Sequence, residues 1–165
     1  MYLDRYFTRS EIMRMPFYVW STYGELGALK NQSGPELTFT LRSIIELVGA
    51  SLGLLMLAET MPVDAWNPVA VAFARDCEQH ALAHAEPSQE LEGCSRYALL
   101  AAQDHTKESA MHAAKAAAYA AYALTPQGSV IGQPTFIVER ARQKETLISL
   151  LERIPLCPQL IDSLR

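Results

Sequence analysis

Two cysteines and two histidines are the side chains in this sequence best suited to hold a metal ion. They are Cys77, His80, His84 and Cys94. Residues three, four and seven apart share one face of a helix, so the first three of these side chains would point the same way. Two histidines four apart on a helix are a known zinc-binding arrangement. The spacing therefore allows a zinc site, although the pattern matches no standard zinc signature. The alternative, which we favour, is that no cofactor binds, that the cysteines are buried and that His80 pairs with Asp76.

No recognised catalytic arrangement accompanies these residues. The sequence has no Gly-x-Ser-x-Gly motif and no glycine-rich phosphate loop, and no strand that would carry either one. Cys77 and His80 could form a thiol–base pair, but a catalytic cysteine usually takes its base from elsewhere in the fold. We therefore assign no catalytic residue, and an enzyme remains the less favoured alternative.

Acidic residues are concentrated in the same part of the chain. The 165-residue chain has a net charge of −4, whereas residues 76–108 hold seven acidic and two basic residues, a net charge of −5. This balance argues against a nucleic-acid partner. An acidic patch attracts a basic protein and speeds its association, so we expect a basic protein partner. The candidate contacts are Asp76, Glu78, Glu86, Glu90 and Glu92. The alternative is a solvated face without a partner.

An alanine-rich region follows, with 12 alanines among the 26 residues 98–123. Alanine is the best helix former but buries little area, so helices built from it must pack closely. Tyr119 and Tyr122 are among the few large side chains there. Tyrosine is favoured at interfaces because it gives contact area at low entropy cost and keeps a polar tip. We therefore add both tyrosines to the candidate partner contacts, with close packing in a helical pair as the alternative.

Helix signals fill nearly the whole chain, whereas strand signals are weak. Capping boxes, prolines and glycines mark the helix ends. The predicted helices span about residues 8–23, 33–60, 67–85, 88–103, 104–124 and 135–154. The connections are short, which favours antiparallel packing of neighbours. The sequence therefore predicts an all-α fold, with residues 1–165 forming a single-domain bundle of about six helices.

The most apolar run, residues 43–58, is shorter than the roughly 20 residues of a spanning helix and contains Glu46. Gly49 and Gly53 within it would allow close packing against a neighbouring helix, so we predict a buried helix and no membrane contact. If this helix were partly exposed, the two glycines could instead pair copies of the chain in a homo-oligomeric scaffold. The first residues lack the apolar core of a secretory signal, and three cysteines do not make a disulfide framework. We therefore expect a cytoplasmic protein.

Four segments resemble the helical, alanine-rich immunity protein family of bacterial polymorphic-toxin systems. They read DCEQHAL at 76–82, RYALLAA at 96–102, MHAAKAAAYAA at 111–121 and ERARQ at 139–143. The resemblance covers about residues 70–153. It implies a helical, non-enzymatic inhibitor that binds and neutralises a cognate toxin.

Taken together, these features predict a cytoplasmic binding protein that neutralises a basic toxin through an acidic helical surface. A metal-binding protein or enzyme using the cysteine–histidine group is one alternative. A homo-oligomeric helical scaffold is the other.

Overall fold

The computed structural model describes residues 2–13, 38–126 and 134–154, and contains one 3-10 helix, two strands and seven α-helices within them. In chain order these elements are the 3-10 helix Tyr2–Asp4, β1 (Tyr6–Thr8), α1 (Arg9–Met13), β2 (Thr38–Thr40), α2 (Leu41–Leu47), α3 (Ala50–Thr60), α4 (Val63–His84), α5 (Gln89–Gln103), α6 (Glu108–Ala123) and α7 (Pro134–Arg153). The molecule is a helical bundle, so the predicted all-α fold is confirmed.

Helices α4 to α7 form the body of the bundle, and neighbouring helices run antiparallel. The Ser109 hydroxyl at the start of α6 donates to the Ala101 carbonyl near the end of α5. Near the other ends of these two helices, Gly93 lies against Tyr119. Helix α7 runs antiparallel to α6, because Phe136 near its start lies against Tyr122 and Gln143 farther along donates to the Ala117 carbonyl. This confirms the predicted packing of neighbours, and the inner face of α6 consists largely of buried alanines that let the helices approach closely.

The small two-stranded sheet was not predicted. Strands β1 and β2 are antiparallel, and Phe7 pairs with Phe39. Both phenylalanines are buried, whereas the residues beside them are exposed or half-buried. Three residues of alternation are too short to distinguish from a helical pattern, which explains why the sequence shows no strand signal.

The single apolar helix predicted over 33–60 is wrong in its bounds. Residues 38–40 form β2, and residues 41–60 divide into α2 and α3. The two helices separate at Gly49, whose φ of 139° is open mainly to glycine. Helix α2 begins at Leu41 and is capped by Thr40, whose hydroxyl accepts a hydrogen bond from the Ser43 amide. Residues 33–37 and the part of the first predicted helix after residue 13 lie outside the described residues.

Asn67 and Pro68 were predicted to begin the third helix, but α4 begins at Val63. Asn67 is buried, and its side-chain amide donates to the Ser109 hydroxyl at 2.8 Å and to the Asp104 carbonyl at 3.3 Å. The Asn67 amide therefore connects α4 to the α5–α6 turn instead of capping its own helix. The starts and ends predicted for α5, α6 and α7 agree with the structure to within a few residues, and Ser88 caps α5 by accepting from the Leu91 amide.

Helix α3 confirms the prediction of a buried helix. All of its residues from 50 to 58 are buried. Gly53 packs against Ile45 and Leu147 of the same chain, so the absence of a side chain at this position allows close packing within the molecule. Among the described residues, no helix combines the length and the apolar character needed to cross a bilayer.

We expect Gly53→Ala to destabilise the protein by about 1–2 kcal/mol. Alanine has the higher helix propensity, but its Cβ would lie 2.5 Å from Cγ1 of the fully buried Ile45. Urea unfolding followed by circular dichroism measures the change. A variant as stable as the parent would contradict the close packing at this position.

Candidate functional site

An open cleft with a volume of about 790 Å³ lies between the α4–α5 turn and the C-terminal end of α6. Three of the predicted partner contacts, Glu86, Glu90 and Tyr122, line it. Pro87 and Ser88 form the turn, and Ser88 fixes the start of α5 as its N-terminal cap. The turn thus places two carboxylates opposite a tyrosine that comes from another helix.

A second depression of about 630 Å³ adjoins the first, because Glu90 lines both. It contains two more of the predicted contacts, Glu92 and Tyr119. We refer to Glu86, Glu90, Glu92, Tyr119 and Tyr122 as the acidic surface. Five of the seven predicted partner contacts therefore lie together.

The three carboxylates of the acidic surface are exposed and make no ion pair or side-chain hydrogen bond with any residue that the structure describes. The ends of three helices add to the local field. The C-terminal ends of α4 and α6, which carry partial negative charge, line the cleft, whereas Glu90 and Glu92 lie in the first turn of α5, at its positive end. The three carboxylates therefore carry a negative charge that no ion pair within the described residues compensates.

The two tyrosines are held by neighbouring rings. Tyr122 is 39% exposed, and its ring centroid lies 5.3 Å from that of Phe136 on α7. Tyr119 is half-buried and stacks on Tyr97, with centroids 5.5 Å apart. A Cβ at Gly93 would lie 3.0 Å from the Tyr119 ring, so the glycine leaves the space that this ring occupies. Ring packing thus restrains both tyrosine side chains.

Asp76 and Glu78 do not join the acidic surface, since they line neither depression. Asp76 accepts a hydrogen bond from Arg142 Nη1 at 2.8 Å, and Glu78 is half-buried on α4. The sequence places them in the same acidic segment, but α4 carries them away from the turn. We therefore leave them out of the surface.

Asp76 belongs instead to a group of polar side chains at the contact between α4 and α7. We call this group the ion cluster; its members are Asp76, His80, Glu139, Arg142 and Gln143. Glu139 is 3% exposed and accepts from Arg142 Nη2 and Nε at 3.0 and 2.9 Å. The same carboxylate lies 3.3 Å from His80 Nε2 and accepts from Gln143 Nε2 at 3.2 Å.

Gln143 extends the cluster to a third helix, because its Nε2 also donates to the Ala117 carbonyl of α6 at 2.9 Å. Burial by itself lowers the pKa of Arg142, but its hydrogen bonds to Glu139 and Asp76 outweigh that effect and raise the pKa above its usual value. The guanidinium therefore stays charged. The sequence offers one signal for this cluster: residues 136, 139, 143 and 147 recur at helical spacing, and all four are buried.

The predicted pairing of His80 with Asp76 is wrong, because each has a partner on α7. The His80 ring also lies 4.6 Å from that of His84, which lines the cleft. Within the ranges that the structure describes, no three His, Cys, Asp or Glu side chains are placed to hold a metal ion together. A zinc site made from Cys77, His80, His84 and Cys94 stays the less favoured alternative.

Both described cysteines are free and completely buried. Burial raises the pKa of the Cys94 thiol to about 12 and also raises the pKa of Cys77. A protonated, buried thiol is a poor nucleophile and a poor metal ligand near neutral pH. The surroundings of Cys77 and Cys94 are those of core residues.

The structure brings together two of the segments on which the family resemblance rests. Asp76 and His80, from 76–82, contact Arg142 and Glu139, from 139–143. The chain matches no protein-family model, no curated protein and no solved structure.

Proposed function

We propose that this chain is a non-enzymatic protein that binds a basic protein partner through its acidic surface. The observation that carries the proposal is the convergence of Glu86, Glu90 and Glu92 beside two exposed or half-exposed tyrosines, with no cation of the described chain paired to the three carboxylates. Unpaired carboxylates attract a basic partner over a distance of about one Debye length, roughly 8 Å at physiological salt. The tyrosines provide rigid contact area once the partner has arrived.

The partner that we propose is a toxin, and the chain is its immunity-type inhibitor. The resemblance of residues 70–153 supports this assignment, because it implies an inhibitor of a cognate toxin. An acidic inhibitor also suits a toxin that acts on nucleic acid, since the active cleft of such a toxin must attract phosphate and is therefore basic. Inhibition then requires only that the acidic surface cover that cleft.

We further propose that the protein works in the cytoplasm. Cys77 and Cys94 are free thiols in the core, which suits a reducing compartment. A toxin that is made in the cell also has to be neutralised there.

Co-expression with the products of adjacent genes tests the proposal. We expect one of these products to be toxic when expressed alone, to have a basic surface, and to be tolerated when this chain is present. Colony counts with and without the chain measure the rescue. If no adjacent product is both toxic alone and rescued, the proposed function is wrong.

A further inference from the structure

Tyr97 on α5 lies in the middle of a stack of three aromatic rings beside the acidic surface. Its ring centroid is 5.5 Å from that of Tyr119 and 6.0 Å from that of His112. Two cations lie over the same ring: the guanidinium carbon of Arg96 is 5.0 Å and the ammonium nitrogen of Lys115 is 5.2 Å from its centroid. Both distances lie within the range of about 6 Å over which a ring face attracts a cation. One ring therefore holds both cations.

The sequence favours an ion pair between Arg96 and Glu92, because Glu92 lies four residues before Arg96 on α5. A glutamate and a basic residue at this spacing are neighbours on a helix surface and attract each other. Both side chains line the second depression. Arg96 nevertheless lies over Tyr97, and neither Arg96 nor Glu92 makes an ion pair within the described part of the chain.

We propose that Tyr97 is a positioning residue of the acidic surface: its ring holds Arg96 and so leaves the Glu92 carboxylate without a counter-charge. An exposed cation–π contact and an exposed ion pair are of similar strength, so a single ring can decide which of the two forms. Without the ring, Arg96 is free to pair with Glu92, its neighbour four residues earlier on the same helix. This inference rests on the proposed function for the use of the Glu92 charge.

The electrostatic potential near the backbone of residues 86–93 tests this role without any partner. Relaxation of amide protons by a cationic and an anionic nitroxide, compared by NMR, measures that potential. The proteins are the wild-type chain, Tyr97→Leu, Arg96→Gln and the double variant. The measured quantity is the excess of relaxation by the cationic probe over relaxation by the anionic probe. We expect Tyr97→Leu to reduce this excess about two-fold at low salt, because Arg96 then neutralises Glu92.

The double variant separates positioning from a merely structural role. If Tyr97 acts through Arg96, Tyr97→Leu has no effect on the potential when Arg96 is already glutamine. An equal effect in both backgrounds would overturn the proposal. Tyr97→Phe keeps the aromatic face and is expected to retain the wild-type potential, whereas a Leu-like result from Phe would also overturn it.

A measurement on the wild-type chain keeps the test decisive if Tyr97→Leu does not fold. Side-chain protons of Arg96 over the Tyr97 ring are expected at higher field than in an unstructured peptide, and ordinary shifts would contradict the proposal. None of these measurements involves a toxin. The NMR measurements can therefore contradict the role of Tyr97 while co-expression rescue supports the proposed function. They can also support the role of Tyr97 while co-expression rescue fails.

Discussion

Replacing Glu86, Glu90 and Glu92 together by glutamine is expected to slow association with the basic partner by about ten-fold or more at low ionic strength. The three carboxylates are exposed and unpaired among the described residues, so they supply the attraction that guides the encounter. Stopped-flow fluorescence with the toxin identified by co-expression measures the association rate. Because ions screen exposed charges, the difference between variant and wild type should shrink as salt is added.

A matched triple variant, Glu46→Gln, Glu108→Gln and Glu145→Gln, removes the same charge from exposed positions that line neither depression. It also removes one acid from the first turn of a helix, as the Glu90 and Glu92 changes do, so both variants lose some favourable interaction with a helix dipole. We expect its association rate to stay within about two-fold of wild type. Equal slowing by both triple variants would mean that only the net charge matters, and would contradict a localised surface.

Glu139→Gln is expected to lower the free energy of unfolding by about 2–3 kcal/mol, the largest stability effect that we predict. The two side chains are nearly equal in size, so the substitution removes the charge and leaves the packing unchanged. Glu139 is 3% exposed and accepts hydrogen bonds from both Arg142 and Gln143. The glutamine side chain is neutral, so the charge of Arg142 loses its most buried partner. Arg142 keeps Asp76 and is 27% exposed, which limits the loss.

Glu145→Gln, an exposed change on the same helix, is the control and is expected to alter stability by less than about 0.5 kcal/mol. Urea unfolding of both variants and the parent gives the comparison. If Glu139→Gln were as stable as Glu145→Gln, the ion cluster would not hold α7 to α4. Because the cluster lies apart from the acidic surface, folded Glu139→Gln protein should still bind the partner.

Helix positions could be predicted well where the sequence carries local signals. Ser88 and the breaks around it fixed the start of α5, since a cap acts on the residues next to it. The division at Gly49 could not be predicted, because a glycine within an apolar run is compatible with both a continuous helix and a turn. In the structure α2 ends at Leu47 and α3 begins at Ala50, and Gly49 between them has a φ of 139°.

The residues of the candidate site also divide into those that the sequence could predict and those that it could not. Glu86, Glu90 and Glu92 could be grouped from the sequence because one turn and the start of one helix carry them. Asp76 was grouped with them but lines neither depression. Its partner Arg142 comes 66 residues later, so the residues next to Asp76 in the sequence give no sign of that contact. Tyr97 was missed for a related reason: its importance depends on rings and cations that α5 and α6 bring together only in the folded chain.

Hydroxyl-radical footprinting of the complex with the partner tests most directly whether the acidic surface binds it. Tyr122 is 39% exposed within that surface, and Tyr6, which is 67% exposed and lines neither depression, is the internal control. We predict that oxidation of Tyr122 falls several-fold when the partner binds, while oxidation of Tyr6 stays unchanged. An unchanged rate at Tyr122 in a fully formed complex would contradict the account, because the partner would then be bound elsewhere.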